Sequence, residues 1–129
     1  MASGQPDLAY STVTEILAEY PTDLALLDRA FTIALQTGHT PEATLLLERI
    51  WEISGDPNRL DQLFRFRVAQ GELSEASRLA DKIVTRKNIQ AKQRERIAQL
   101  YIWTGQRKKA LTQLKAAKGQ NPGYSARKK

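Results

Sequence analysis

Apolar side chains return along this chain every three or four positions, in blocks divided by short polar stretches. One set of blocks holds Leu27, Ala30, Phe31 and Ala34; then Leu60, Leu63, Phe64 and Val68; then Ile97, Leu100 and Tyr101. A second set alternates with it: Ala43, Leu46, Leu47 and Ile50; Ala76, Leu79, Ala80 and Ile83; Ala110, Leu111, Leu114 and Ala117. Such spacing puts each block on one face of an α-helix. It predicts an all-α fold of about seven helices, over residues 7–19, 23–37, 41–53, 57–70, 74–86, 90–103 and 107–118, with no strand.

The breaks between the two sets repeat one phrase. "TGHTPEATLLL", "QGELSEASRLA" and "TGQRKKALTQL" each carry a glycine five residues before an alanine, at Gly38 and Ala43, Gly71 and Ala76, Gly105 and Ala110. The glycines stand 33 and 34 residues apart, the period of a repeated helix-turn-helix unit. A glycine just past a helix can take the left-handed conformation that ends it and lets the chain reverse. An alanine one turn into the next helix lets the two helices approach closely. Each repeat therefore reads as two antiparallel helices. Thr40 is expected to cap the helix that follows Gly38, with Pro41 at its first position.

This pattern resembles the tetratricopeptide repeat (TPR) over nearly the whole chain. With units counted from Leu24, Pro57 and Ala91, the family's turn glycine falls on Gly38, Gly71 and Gly105, and its small residue on Ala43, Ala76 and Ala110. Its later apolar sites fall on Leu47 and Ile50, Ala80 and Ile83, Leu114 and Ala117, and its closing proline on Pro122. Leu27, Leu60 and Arg94 replace the family's early tryptophan, and Phe31 and Phe64 fill a usually small site, so the repeats are degenerate. The resemblance implies an α-solenoid of stacked antiparallel helix pairs winding as a right-handed superhelix. Residues 1–129 read as one domain, with repeats at 24–56, 57–90 and 91–122 and a tail at 123–129. Residues 7–21 match a second helix alone, with Ala9, Val13, Ile16 and Pro21 at its small, apolar, apolar and closing positions. The expectation is a segment cut from a longer array. Leu8, Val13 and Ile16 should then lie exposed and favour self-association into dimers.

Charge is graded along the array. Residues 1–23 carry four carboxylates and no base, residues 24–56 two arginines against five carboxylates, residues 57–90 seven bases against four acids, and residues 91–129 eleven bases against one acid. Such a gradient orients charged partners or aligns copies head to tail, and it is equally what a solvated surface looks like. No run of about 18 apolar residues is present, so no membrane contact is expected from this segment. The absence of cysteine excludes disulfides and thiolate metal sites and fits cytoplasm or periplasm alike.

Chemistry is sparse. His39, the single histidine, falls in the turn after Gly38 and has no second histidine or cysteine with which to hold a metal or build a triad. Glu42, Glu48 and Glu52 read as helix-surface carboxylates suited to pairing with Arg49. The reading is a protein that is not an enzyme and has no cofactor and no metal. A basic nucleic-acid-binding helical repeat is the rival, with Arg86, Lys87, Lys92, Arg94, Arg96, Arg107, Lys108, Lys109, Lys115 and Lys118 as phosphate contacts and Tyr101 and Trp103 as a stacking surface. No recognition-helix or RNA-module signature accompanies them.

The TPR resemblance implies a concave groove lined by the first helices. Its partner-binding positions are Asp28, Thr32 and Gln36; Asp61, Arg65 and Ala69; and Lys92, Glu95, Gln99 and Trp103. Ala25, Leu35, Asn58, Val68 and Ile102 share that face. Arg65 and Trp103 combine contact area with directional polar groups, the character of binding hot spots. TPR proteins that clamp chaperone C-termini use lysines, asparagines and an arginine; Lys92 and Arg96 match two places, but Asp28, Thr32 and Gln62 hold the others, so no such binding is expected. The stretch from "LDRAF" at Leu27 to "DKIV" at Val84 is similar to the periplasmic TPR scaffold of the outer-membrane protein that exports the Pel biofilm exopolysaccharide. That resemblance implies a scaffold that recruits a periplasmic polysaccharide deacetylase or hydrolase. The modified polymer is cationic, so only the acidic residues 1–56 suit polymer contact, and the basic end would bind protein. A cytoplasmic TPR adaptor is the competing placement.

Overall fold

The computed structural model describes residues 5–86 and 88–120, with side chains from Leu8 onward. Lys87, Pro122 and the tail at 123–129 lie outside the described residues. Seven α-helices are found among those described: α1 (Gln5–Glu19), α2 (Leu24–Gln36), α3 (Thr40–Ser54), α4 (Pro57–Ala69), α5 (Leu73–Ile83), α6 (Ala91–Trp103) and α7 (Arg107–Gln120). No strand occurs among them. The expected helices are all present, most within two residues of their predicted bounds. The largest shift is at α5, which stops at Ile83 rather than 86. There the chain tightens into a turn, with Thr85 N–H donating to the Lys82 carbonyl at 3.4 Å and Arg86 N–H to that of Ile83 at 3.1 Å.

The repeated phrase builds one turn three times. Gly38, Gly71 and Gly105 have φ of +79°, +74° and +75°. After α2, His39 N–H donates to the Ala34 carbonyl at 2.8 Å and Gly38 N–H to that of Leu35 at 3.3 Å. The same paired bonds follow α4, from Glu72 to Arg67 at 2.9 Å and from Gly71 to Val68 at 3.0 Å. After α6 they run from Gln106 to Tyr101 at 2.7 Å and from Gly105 to Ile102 at 3.1 Å. This is the Schellman arrangement, in which a left-handed residue lets two orphan helix carbonyls find donors. Arg67 reinforces its own copy, since its guanidinium also holds the Glu72 carboxylate at 2.8 Å.

Capping departs from expectation in one place. Thr40 is the first residue of α3 rather than its cap; His39 occupies the cap position and makes no side-chain cap bond. The Thr40 carbonyl instead accepts the Thr44 hydroxyl at 3.0 Å. Asp23 is a full cap, accepting Leu26 N–H at 3.1 Å at the start of α2.

The chain divides into two compact units, Met1–Phe66 and Arg67–Lys129, and α4 passes from the first into the second. In the first, α2 packs against α3 and α1 against α2. Its core contains the predicted Leu27, Ala30, Phe31, Ala34, Ala43, Leu46, Leu47, Ile50, Leu60, Leu63 and Phe64, all buried. Ala30, Ala34 and Ala43 have no exposed surface, which fits small residues where helices approach closely. The α1 stripe differs from expectation: Val13 and Leu17 are buried, while Ala9 and Ile16 are exposed. Val13 therefore does not lack a partner, because α2 covers the Val13–Leu17 ridge.

In the second unit α6 packs on α7 and α5 on α6. Ala76, Leu79, Ala80, Ile83, Ile97, Leu100 and Tyr101 are buried as the spacing predicts, and Ala98 is buried with them. Ile89, in the connection between α5 and α6, joins them, and its carbonyl accepts the side-chain amide of Gln120. Helix α7 contradicts its predicted face. Ala110 and Ala117 are buried, but Leu111 and Leu114 are exposed, and Gln113 takes the inward position between the two alanines. Gln113 is satisfied there because its amide oxygen accepts Arg94 at 2.6 Å.

Candidate interaction surface

The predicted partner positions fall on α2, α4 and α6, and each unit presents its own set. In the first unit Asp28, Thr32, Gln36 and Arg65 are exposed and Asp61 is half-buried. Asp28 is already engaged, its carboxylate accepting the Arg59 guanidinium at 2.5 Å from α4. Arg59 is itself steadied by Gln62 at 3.1 Å, and Thr32 donates to the Asp28 backbone carbonyl at 3.1 Å. Asp28 thus holds α2 to α4 while keeping half of its surface in solvent.

In the second unit Ala69, Lys92, Gln99 and Trp103 are exposed and Glu95 is half-buried. Trp103 leaves 59% of its surface in water and Ile102 beside it 53%, although the buried Leu100 and Tyr101 directly precede them in α6. Arg94, predicted among the phosphate contacts, instead donates from two of its three guanidinium nitrogens to side-chain amides, Nη1 to Gln113 at 2.6 Å and Nε to Gln120 at 2.6 Å. Tyr101, predicted as a stacking surface, is buried and belongs to the core.

Asp81 on α5 collects a second cluster. The Tyr101 hydroxyl donates to it at 2.6 Å, Lys109 of α7 pairs with it at 3.3 Å, and the same ammonium stands 5.7 Å from the centre of the Tyr101 ring. Burial first, then the hydrogen bond and charge of Asp81, push the Tyr101 phenol above its usual range. Gln106 fastens the neighbouring turn, donating to Ser77 at 2.7 Å and Thr104 at 2.8 Å. These contacts are structural ties among three helices, and no ligand-facing group is left over from them.

His39 is a turn residue, as its position suggests. Its ring stacks on Tyr10 at 4.2 Å between centroids with 13° between planes, and its Nδ1 lies 2.7 Å from the Thr37 hydroxyl. Burial, and to a lesser degree the Glu42 charge, raise the Tyr10 phenol above its usual range. Among the described residues no group of three or more His, Asp or Glu is placed to hold a metal ion, and no helix is long and apolar enough to cross a membrane.

Leu111 and Leu114 are the surface residues that periodicity assigned to the core. With Ile102, Gly105, Arg107 and Ala110 they line a concavity of about 370 Å³ on α6 and α7. The sequence holds two helical stripes here, 110/113/117 and 111/114/118, and spacing alone favours neither. The structure selects the stripe flanked by Ala110 and Ala117, whose small side chains allow α7 to approach α6 closely, with Gln113 between them.

No family model matches this chain, and no curated protein does. Solved structures do. A MamA structure described as "MamA MSR-1 C2" superposes with a TM-score of 0.65 at 18% identity, over 95% of this chain and 71% of that one. A second MamA crystal structure gives 0.65 at 15% identity, over 95% and 72%. The Podosopora anserina putative kinesin light chain with nearly identical TPR-like repeats gives 0.59 at 25% identity, over 93% and 70%. With its seven helices and three glycine-closed turns, the chain has the TPR-like α-solenoid fold.

Proposed function

We infer that this protein is a non-catalytic protein-interaction scaffold whose partner is held by exposed residues of the first helices, with Arg65 and Trp103 as the main contributors. The observation that carries the reading is Trp103. A tryptophan that is 59% exposed, at the end of a helix whose other large apolar residues include a buried Ile97, Leu100 and Tyr101, has no folding role that explains it. The TPR-like fold supports a binding role by analogy alone.

The partner we infer is a periplasmic polysaccharide-modifying enzyme, a deacetylase or hydrolase, held at an exopolysaccharide export complex. The resemblance of residues 27–84 to the Pel export scaffold motivates this reading, under which the chain would work in the periplasm as part of an outer-membrane-anchored protein. The test is calorimetric titration of the purified chain with a purified periplasmic deacetylase from a Pel-type exopolysaccharide export system. A one-to-one complex is expected, weakened by about 2 kcal/mol, roughly thirtyfold, in Arg65→Glu and in Trp103→Ala, with helical content unchanged. Absence of a complex rejects the export role. Normal binding by both variants rejects the surface.

A further inference from the structure

The geometry points to a second copy of this chain as the occupant of the apolar concavity on α6 and α7, seated through its α1 so that copies join head to tail. The receiving end is unusual for a surface. Ile102, Leu111 and Leu114 are 53%, 43% and 36% exposed and line one concavity. In the second unit α5 packs on α6 and α7 on α6, α7 reaching α5 only through the Lys109–Asp81 pair, and Leu111 and Leu114 stay exposed. The outer stripe of α7 thus offers the kind of seat that α6 fills on α5. Around it α7 carries Arg107, Lys108, Lys109, Lys115 and Lys118 and no acid.

The incoming end is complementary in both respects. Helix α1 buries Val13 and Leu17 against α2, and outside that buried stripe it exposes Leu8 and Ile16, at 65% and 39%, with Glu15 and Glu19 also exposed on the helix. No basic residue occurs in α1. An apolar ridge edged by carboxylates therefore meets an apolar concavity edged by ammonium groups, and neither end is complementary to itself, since each would bring like charges together. A contact between two different patches of one chain is heterologous. Unless it closes into a ring it propagates, with each added copy leaving the same two ends open.

Sedimentation velocity and light scattering across a concentration series at low salt test this. The mean mass is expected to rise from 14.5 kDa and pass that of a dimer without levelling. Added salt should weaken association, because the rim charges are screened. Two end-blocked variants locate the contact: Leu8→Gln with Ile16→Gln at the head, and Leu111→Gln with Leu114→Gln at the tail. All four positions are exposed, so folding is preserved, which circular dichroism verifies. Each variant alone should be monomeric at concentrations tenfold above the wild-type midpoint. Their equimolar mixture should form a dimer and stop there, since only one good head and one good tail remain. Glu15→Gln with Glu19→Gln, or Lys115→Gln with Lys118→Gln, should weaken wild-type association at least tenfold at low salt and little at high salt. A chain that stays monomeric at millimolar concentration overturns the proposal and leaves the concavity to a different protein. So does a head-blocked variant that still dimerises, which would mean tail-to-tail contact, or a mixture that fails to associate.

Discussion

Replacing Tyr101 with phenylalanine isolates one hydrogen bond in the second unit. The ring is buried, at 1% exposure, so phenylalanine keeps its packing and its place 5.7 Å from the Lys109 ammonium. Only the hydroxyl that donates to Asp81 at 2.6 Å is lost. A hydrogen bond to a charged group contributes about 1.5–3 kcal/mol. Here the acceptor is 47% exposed and also pairs with Lys109 at 3.3 Å, so water and the ammonium re-solvate it. No buried donor is orphaned either. The expected loss at pH 7 is therefore about 1 kcal/mol, or about 4 °C in Tm. The pH dependence has a definite sign. Folding raises the Tyr101 phenol above the usual value for tyrosine, about 10, so the protonated hydroxyl contributes fully below pH 10 and its contribution is lost as pH climbs through the raised folded value. The gap between wild type and variant should be constant from pH 6 to 9 and narrow above 10. The raised Tyr10 phenol is common to both proteins and cancels in the difference. Urea unfolding followed by circular dichroism at each pH measures it. A gap that widens above pH 10, or equal stability at neutral pH, refutes the reasoning; so would full additivity with Asp81→Ala, because the two changes remove the same bond.

Two further substitutions test the repeat architecture. Gly71→Ala should destabilise by about 1–2 kcal/mol purely through the backbone, since φ is +74° and an added Cβ meets nothing within 4 Å; Gly119→Ala, in the last turn of α7 with equally open space, should be neutral or stabilising by up to about 1 kcal/mol, and thermal melts of the pair separate conformation from crowding. Leu47→Ala removes a side chain with no exposed surface between α2 and α3 and should cost about 2–5 kcal/mol in denaturant titration, against under 1 kcal/mol for the exposed Leu45→Ala.

Helices and turns were legible because two independent signals coincide at each of them. The 3.6-residue period marks where α2 to α6 bury their faces, and glycine marks where left-handed backbone is needed, so Gly38, Gly71 and Gly105 could be placed without any knowledge of contacts. Helix α7 shows where periodicity stops being sufficient. Ala110, Gln113 and Ala117 compete with Leu111 and Leu114 for the inward face, and the outcome depends on how closely α6 approaches and on Arg94 being there to satisfy Gln113. Helix α1 repeats the lesson, with Leu17 buried in place of Ile16. The Asp28–Arg59 pair and the Tyr101–Asp81–Lys109 cluster were illegible for another reason: their members lie 20 to 31 residues apart. The predicted surface positions are mostly exposed, but exposure follows from helix phase, whereas partner chemistry is carried by side chains whose selection no periodicity records.

The three closing turns also bear on how the chain reaches this fold. Each is made wholly of bonds between residues five or fewer positions apart, and those at Gly38 and Gly105 bring together helix pairs that are neighbours in sequence, α2 with α3 and α6 with α7. Little loop entropy is spent before a hairpin gains its first apolar contacts, which is the condition for rapid folding. Each hairpin can form as soon as its second helix has been synthesised, before the residues that follow exist. A ribosome would therefore release a chain whose early hairpins are already closed, and the steps left for later are the joins between hairpins, where Ile89 and the Asp28–Arg59 pair make their contacts.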